Sequence, residues 1–230
     1  DFLEQFNPSA YKIASFEIVD LPLIRYVAKT GKPIIMSTGM ASEEEIDEAV
    51  SAAREGGCDQ IILLHCISSY PAPIDQSNIQ QISNLAKRFN ILTGLSDHTL
   101  GTTASITAVA QGASLIEKHF TLSRQDKGPD SEFSLEPDDL KKLCIDTKNA
   151  WLSLGKEGFK RVKAEEGSKV FRRSLYFIKD LPKGHVIKAS DIQRIRPGNG
   201  LAPKYFDKVV GKKTAKKISR GQAISFEDLK

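Results

Sequence analysis

Residues that define several protein classes are scarce in this chain. Among 230 residues there are only 3 cysteines and 1 tryptophan. Cys58, Cys66 and Cys144 are odd in number and form no CxxC pair. A disulfide-bonded scaffold is therefore not expected, and we expect reduced thiols in a cytoplasmic protein.

Long apolar runs and a strong charge of one sign are also missing. No run approaches the length of a membrane span, and the opening DFLEQFNPSA lacks the pattern of a signal peptide. The formal net charge is +4, and its basic excess lies after Lys156 without interleaved aromatic residues. We expect no membrane and no nucleic acid as partners. The basic residues indicate a solvated face or an attraction for an anionic substrate.

The composition that is present, 40% hydrophobic and 27% charged residues, is ordinary for a globular chain of one or two domains. Its most informative stretch is residues 91–133, which has the pattern of a strand, a helix, a second strand and a long polar loop. The first strand leads to His98 and the second to His119, and the loop contains Asp130. Functional groups collect where parallel strands end. The two histidines could therefore share one divalent metal ion close to Asp130.

The same strand-and-helix unit repeats through the first two thirds of the chain. Predicted strands cover residues 11–15, 33–36, 60–64, 91–95 and 113–116. Ser42 and Glu45 form the pattern of a capping box for a helix over residues 43–55, and Pro137 begins a helix that runs to about residue 154. Apolar strands without alternation are typical of a parallel sheet covered on both faces. We therefore expect an α/β fold containing about the last five units of a (β/α)8 TIM barrel, with an open sheet as the alternative.

A change in composition separates this region from the rest. We assign residues 1–155 to the barrel portion, 156–168 to a polar linker and 169–230 to a small β-rich domain. Within that domain, residues 183–192 resemble residues 220–229, since each copy has a turn at glycine, a short extended piece and one helical turn carrying an aspartate. This repeat predicts a module with pseudo-twofold symmetry.

Several short motifs occur in the order in which one enzyme family has them. They are Tyr11-Lys12-Ile13-Ala14-Ser15-Phe16-Glu17, Ser37-Thr38-Gly39-Met40, His65-Cys66 with Tyr70-Pro71, Gly94-Leu95-Ser96-Asp97-His98-Thr99, Glu117-Lys118-His119-Phe120 and Gly128-Pro129-Asp130. Together they resemble the sialic acid synthases, which are phosphoenolpyruvate-dependent enzymes with a TIM barrel. Residues 191–192 and 196–201 resemble the antifreeze-like SAF domain of that family. The family's N-terminal part, with roughly the first three strands, has no counterpart among these motifs.

The resemblance implies condensation of phosphoenolpyruvate with an open-chain N-acetylated amino sugar, giving a nine-carbon nonulosonate and phosphate. The implied phosphoenolpyruvate-binding residues are Lys12, Ser15, Ser37, Ser68 and Ser96. The implied catalytic residues are Glu17, His98, His119 and Asp130, and the implied sugar-binding residues are Glu17, Tyr70, Asp130 and Arg196. A divalent ion, manganese or magnesium, is expected on His98 and His119. A domain-swapped homodimer, with the SAF domain over a neighbour's barrel, is a further implication.

The product is less closely specified by the sequence. Phe16 and residues 131–137 resemble the pseudaminic acid branch of the family, whereas residues 127–130 depart from it. We expect pseudaminic acid, with N-acetylneuraminate or legionaminate as alternatives. Two other classes stay open: a non-catalytic carbohydrate-binding protein, and a metal-dependent aldolase or hydrolase in which Lys12 forms a Schiff base. We also expect the 230-residue chain, made alone, to lack synthase activity.

Overall fold

Five parallel strands, paired in chain order, form the sheet of the first part of the molecule. They are β1 (Tyr11–Ile13), β2 (Ile34–Ser37), β3 (Ile61–Cys66), β4 (Leu92–Asp97) and β5 (Leu115–Lys118). The computed structural model of the chain describes residues 1–230. They divide into two compact units, Asp1–Lys156 and Glu157–Lys230.

Helices alternate with these strands. They are α1 (Leu21–Ala28), α2 (Glu43–Glu55), α3 (Gln81–Phe89), α4 (Thr103–Ala110) and α5 (Pro137–Leu154). The predicted capping box at Ser42 and Glu45 is present, and α2 has the predicted bounds. The alternation confirms the prediction of five β/α units of a TIM barrel. None of the helices combines the length and the apolar character needed to cross a bilayer.

The core of the first unit lies between the sheet and its helices. Ile34, Met36 and Leu63 of the strands are completely buried, and α2 packs against them through small alanine side chains. A second cluster joins Leu95 of β4 to α3 and α4. Because the core takes up the helix-facing side chains, alternate residues of each strand remain free to line the other face.

Four of the five strands extend further towards their carboxyl ends than the apolar runs predicted, whereas β1 ends at Ile13 instead of residue 15. β4 ends at Asp97 instead of residue 95, and β5 ends at Lys118 instead of residue 116. The added residues pair with each other in the ladder, where Asp97 lies opposite Lys118. Polar side chains therefore belong to the regular sheet at this edge, and not to the loops that follow it.

The second unit contains an antiparallel pair, β6 (Ser174–Phe177) and β7 (Ile192–Ile195), and a short helix, α6 (Phe206–Val209). Its core includes Leu175, Phe177, Ile187, Ile218 and Ile224. The isolated backbone bridges are equivalent in the two copies of the repeat. Val186 of the first copy pairs with Lys213, and Ala223 of the second copy pairs with Tyr176. The pairing follows the internal repeat that the sequence contains.

Two 3-10 turns, Lys163–Glu165 and Gly167–Phe171, precede β6. They occupy the stretch where the composition is most polar and charged. Gly198 N–H, in the loop after β7, donates a hydrogen bond of 2.8 Å to the Val170 carbonyl. The second of these turns is therefore joined to the body of the second unit.

Candidate active site

A cleft of about 380 Å³ opens at the carboxyl ends of the five strands. Its lining contains the predicted site residues Lys12, Ser15, Ser37, Tyr70, Ser96, His98, His119 and Asp130, together with Ala14, Cys66 and Glu117. These residues come from every strand end and from the loops after β3 and β5. Most of the predicted site is thus brought together by one sheet edge, as expected for parallel strands.

One side of the cleft carries a connected set of charged and hydroxyl groups. Lys12 Nζ lies 3.1 Å from Glu117 Oε1, and Ser96 Oγ donates a hydrogen bond of 2.6 Å to the same oxygen. Ser96 pairs with Glu117 across β4 and β5, so the ladder register sets their contact. The arrangement places an ammonium group and a hydroxyl group on either side of one carboxylate oxygen.

A second group of hydroxyls lies beside Gly39. Ser15 Oγ and Ser68 Oγ are 2.9 Å apart and share a hydrogen bond. Gly39 has a φ of +50°, and a Cβ atom there would come within 2.4 Å of Ser15 Cβ. Glycine is required at this position because any side chain would displace the two serines. Ser68 does not line the cleft itself but contacts Ser15, which does.

Ser37 differs from these serines because its hydroxyl has no partner. Ser37 Oγ is the one buried side-chain nitrogen or oxygen atom that makes no hydrogen bond in the structure. The residue is 2% exposed and lines the cleft at the end of β2. Leaving a buried hydroxyl unsatisfied costs about 1–3 kcal/mol. A ligand oxygen in the cleft would remove that cost.

The two histidines face each other across the cleft. Their ring centroids are 5.3 Å apart and the rings meet edge to face. His98 Nδ1 donates a hydrogen bond of 2.8 Å to the Ile67 carbonyl, and His119 Nδ1 lies 3.4 Å from Asp130 Oδ2. Both Nε2 atoms are therefore left for other contacts. For His98 that contact is Ser96 Oγ, at 3.5 Å.

These residues fit a divalent ion that keeps several non-protein ligands. The Nδ1 hydrogen bond of His98 and the Nδ1 contact of His119 with Asp130 orient the rings in the way that metal-bound histidines are usually oriented. Burial lowers the pKa of His98, which favours the neutral imidazole that binds metal. No group of three or more histidine, cysteine or acidic side chains is arranged as a complete ligand set. Two imidazoles could hold a divalent ion whose other ligands are water or substrate oxygens, unlike the four protein ligands of a closed structural zinc site.

Tyr70 and Cys66 complete the wall beside the histidines. The Tyr70 ring lies 4.3 Å from the His98 ring, centroid to centroid, and also contacts His119 edge to face. Cys66 is buried at the end of β3, and burial raises the pKa of its thiol. A raised pKa is the opposite of what an activated nucleophile needs. All three cysteines are free, as predicted.

Besides Ser68, two predicted residues lie outside the cleft. Glu17 is exposed on the turn that follows β1 and is not among the lining residues. Arg196 belongs to the second unit, in the loop after β7. That loop is held by Ser174 Oγ and Tyr176 Oη, which both donate hydrogen bonds of 2.9 Å to the Pro197 carbonyl. Arg196 therefore extends from a fixed loop.

The sequence-based site omitted Glu117, although its neighbours were included. Glu117 occupies the centre of the Lys12 and Ser96 contacts. The signal was present in the alternation of β5, which puts Glu117 and His119 on the same face of the sheet. Ending the predicted strand at residue 116 concealed that alternation.

A TIM-barrel portion with a polar cleft at the carboxyl ends of its strands is the arrangement of barrel enzymes. Comparison with known proteins identifies the family. The NeuB family model matches residues 1–158, and the SAF domain model matches residues 172–230. The chain belongs to the NeuB family, the sialic acid synthase family, whose named members are synthases.

The similarity to particular relatives extends over both units. The chain is 40% identical to the pseudaminic acid synthase of Helicobacter pylori over 230 residues, which are 100% of the chain and 68% of that protein. It is 34% identical to the crystal structure of the Bacillus subtilis spore coat polysaccharide biosynthesis protein SpsE, with a TM-score of 0.65, covering 100% of this chain and 70% of that one.

A sialic acid synthetase structure is also similar. The N-acetylneuraminic acid synthetase of Leptospira borgpetersenii, solved in complex with citrate, is 36% identical with a TM-score of 0.68, covering 72% of this chain and 58% of that one. The chain spans about two thirds of the length of the curated relatives that it matches.

Proposed function

We propose that this chain carries the larger part of a phosphoenolpyruvate-dependent nonulosonate synthase. The acceptor in this proposal is an open-chain N-acetylated amino sugar, and the products are a nine-carbon sialic-acid-like sugar and phosphate. The observation that carries the proposal is the set of donors at the sheet edge. Lys12, Ser15 and Ser96 surround a cleft whose lining also includes Ser37, with its buried and unpartnered hydroxyl.

Phosphoenolpyruvate suits this set because its phosphate and carboxylate need fixed cations and hydroxyl donors. Lys12 supplies a cation at the end of β1, and Ser37 supplies a buried hydroxyl that gains its first partner when the anion binds. The Ser15 and Ser68 pair adds two more hydroxyls beside Gly39, where the backbone can approach closely. Glu117 Oε1 accepts the hydroxyl proton of Ser96 and contacts Lys12 Nζ, so it fixes the position of both side chains at the cleft.

The reaction joins C3 of phosphoenolpyruvate to the aldehyde carbon of the sugar. Negative charge develops on the aldehyde oxygen, water adds at C2 of the pyruvyl group, and phosphate leaves by C–O cleavage. A divalent ion on His98 and His119, when bound, supplies Lewis-acid stabilisation of that oxygen. Asp130 holds His119 through Nδ1, and Asp130 and Glu17 are the carboxylates assigned to the sugar hydroxyls and to proton transfer.

The remaining contacts of the sugar are assigned to Tyr70 and Arg196. The Tyr70 ring is 44% exposed while it packs on His98, so it offers both a ring face and a hydroxyl to a ligand. Arg196 offers planar, multidentate donors to acyl-amino and hydroxyl oxygens. The pseudaminic type of acceptor is favoured by the 40% identity to a pseudaminic acid synthase, together with the bulky Phe16 after β1.

The proposed assembly is a homodimer in which the SAF unit of one chain covers the barrel of the other. Charge supports this arrangement, since acidic residues outnumber basic residues in the first unit and basic residues outnumber acidic residues in the second. A cytoplasmic location is proposed from the three free thiols.

The proposal is tested by measuring phosphate release. The protein for this test is the chain joined to the N-terminal part of the barrel from the Helicobacter pylori relative, which we call the completed enzyme. We expect phosphate to be released from phosphoenolpyruvate only when an amino sugar of the right configuration is present, within a panel of pseudaminic, legionaminic and neuraminic precursors. No phosphate release with any acceptor and either metal would contradict the proposal.

The role of Arg196 is tested separately. Arg196→Ala in the completed enzyme removes a charge-assisted hydrogen bond of ~1.5–3 kcal/mol, so we expect the sugar KM to rise roughly ten- to hundredfold. The KM for phosphoenolpyruvate should change little. Equal changes in both constants, or none, would place Arg196 outside the sugar site. Mixing Arg196→Ala chains with His98→Ala chains should restore partial activity if the arginine acts across subunits.

A Schiff-base aldolase is the second candidate, because Lys12 lies in the cleft. The contact of 3.1 Å between Lys12 Nζ and Glu117 Oε1 favours an ammonium group that binds anions. Borohydride treatment in the presence of pyruvate distinguishes the two functions. A reduced adduct on Lys12 supports the aldolase, whereas the synthase mechanism forms no imine and gives no adduct.

A further inference from the structure

The most deeply buried ion pair of the molecule lies directly behind the cleft. Lys118 Nζ is 3.0 Å from Asp97 Oδ2, and the two side chains are 2% and 1% exposed. Asp97 and Lys118 are opposite each other in the ladder between β4 and β5. Neither residue lines the cleft, because strand alternation directs both to the opposite face of the sheet.

Both oxygens of Asp97 are fully used. Oδ1 accepts hydrogen bonds of 2.8 Å from Thr99 N–H and from Thr99 Oγ1, and Oδ2 accepts one from Ser105 Oγ of α4. Lys118 Nζ also donates to the Thr99 carbonyl. The pair therefore joins the ends of β4 and β5, the turn after β4, and the first turns of α4.

The sequence neighbours of this pair are the residues of the cleft. Ser96 and His98 flank Asp97, and Glu117 and His119 flank Lys118. A shift in the position of Asp97 or of Lys118 would therefore move the two site residues that flank it. The distance between the histidine rings and the contact between Ser96 and Glu117 depend on the same pair of strand ends.

Stability alone does not account for two charges in this position. Removing an ion pair from water costs several kcal/mol per ion, and two apolar side chains often stabilise such a position equally well. A network of this kind does fix one geometry, because each of its polar groups has defined partners. We infer that Asp97 and Lys118 are positioning residues, which set the orientation of His98 and His119 and the contact between Ser96 and Glu117.

The test uses the double variant Asp97→Asn with Lys118→Met in the completed enzyme. The introduced asparagine keeps an acceptor for Thr99, and no charge is left unpaired, so the variant should fold. Imidazole NMR signals of the four histidines report positioning directly. We expect the His98 and His119 signals to shift and broaden, while those of His65 in β3 and His185 in the second unit stay in place.

The inferred role predicts two further changes. Mn²⁺ affinity should fall at least tenfold, measured by the electron paramagnetic resonance of free Mn²⁺. Phosphoenolpyruvate affinity of the metal-free protein should fall several-fold. The matched control is Asp228→Asn with Lys216→Met, which removes a similar pair from the second unit and should change none of these quantities.

The predicted losses of metal and substrate affinity rest on the proposed function, whereas the shift of the histidine signals does not. The outcomes therefore test the inference and the proposed function separately. A folded double variant with unchanged His98 and His119 signals would overturn the positioning role. Shifted signals in a protein whose unmodified form binds neither Mn²⁺ nor phosphoenolpyruvate would support the positioning role and contradict the proposed function. A variant that does not fold is replaced by Ser105→Ala, which removes one contact of Asp97, leaves both charges paired and is read by the same signals.

Discussion

Aspartate–lysine pairs occur in both units of the molecule, with different surroundings. In the first unit, Lys118 is 2% exposed and its partner Asp97 is 1% exposed. In the second unit, Lys179 and Lys216 are 51% and 56% exposed, although their partners Asp191 and Asp228 are 4% and 2% exposed. A buried carboxylate is common to all three pairs, but only one of them also buries its cation.

The difference shows what each pair contributes. Asp191 accepts from Lys188 N–H and Asp228 accepts from Ser225 N–H, so each caps a single helical turn of the internal repeat. His185 donates to Asp191 where Gln222 donates to Asp228, which shows that an imidazole and an amide serve the same structural purpose there. The pairs of the second unit stabilise a turn, whereas the Asp97–Lys118 pair of the first unit lies between two residues of the cleft on each strand.

The largest expected effect is the loss of turnover when a histidine of the cleft is replaced, compared with a histidine of the second unit. His98→Ala in the completed enzyme should lower metal-dependent turnover at least ~10³-fold, because one of two proposed metal ligands is lost. The fold should be kept, since the side chain points into the cleft. The control is His185→Gln, which gives the first repeat the residue of the second and should leave turnover unchanged. A normal rate for His98→Ala with saturating Mn²⁺ would remove the metal assignment.

A second pair of variants compares the lysines themselves. Lys118→Met leaves the Asp97 carboxylate buried and without its cation, so the free energy of unfolding should fall by about 3–5 kcal/mol. Lys216→Met should lower it far less, because that lysine is half exposed and Asp228 keeps its other donors. Both changes in the free energy of unfolding are measured by urea unfolding of the completed enzyme, with hydrogen exchange as the probe of each unit. Equal losses would show that burial of the cation does not distinguish the pairs.

The smallest expected effect is the loss of stability of the second unit at low pH. Burial acts to raise the pKa of Asp191, but hydrogen bonds from Lys179, Lys188 N–H and His185 outweigh it and hold the pKa well below its usual range. Burial and the opposing contacts of Lys216 and Ser225 likewise leave the pKa of Asp228 lowered. Both folded pKa values lie below the unfolded value of about 3.9, so this stabilisation is complete above pH ~4 and is lost as pH falls through the folded values.

The midpoint temperature of the second unit should accordingly fall by roughly 5 °C or more between pH 5 and pH 3. Hydrogen exchange within residues 174–229 of the completed enzyme follows that unit alone. The variant Asp191→Asn with Asp228→Asn should be less stable at pH 5 and should show a weaker dependence on pH. The same slope in both proteins would mean that other carboxylates control acid unfolding.

The order of elements was predictable because local signals agreed with each other. The capping box at Ser42 and the proline at residue 137 fixed two helix starts, and apolar strands indicated a parallel sheet. The carboxyl ends of β2, β3, β4 and β5 were predicted too short, and that of β1 was predicted two residues too long. Asp97 and Lys118 have the composition of a loop, and only their pairing with each other makes a buried position possible.

Site residues were likewise predictable from the sequence only where they did not depend on contacts between distant residues. The histidines and serines could be placed from their positions after apolar runs, because parallel strands end at one edge. The alternation of β5 could also place Glu117 on the cleft face, but its importance rests on contacts with Lys12 and Ser96 that come from two other strands. The missing partner of Ser37 is likewise a property of the folded cleft and has no counterpart in the sequence.

The most direct measurement of the central claim is the affinity of the completed enzyme for phosphoenolpyruvate after Ser37→Ala. Since Ser37 Oγ has no partner within the protein, the change removes no internal hydrogen bond and should leave the free energy of unfolding almost unchanged. A lost hydrogen bond to an anion should raise the Kd about tenfold or more. The control Ser174→Ala removes a hydroxyl that is bonded to the Pro197 carbonyl, so it should lower stability and leave this Kd unchanged. An unchanged Kd for Ser37→Ala would contradict the assignment of this sheet edge as the phosphoenolpyruvate site.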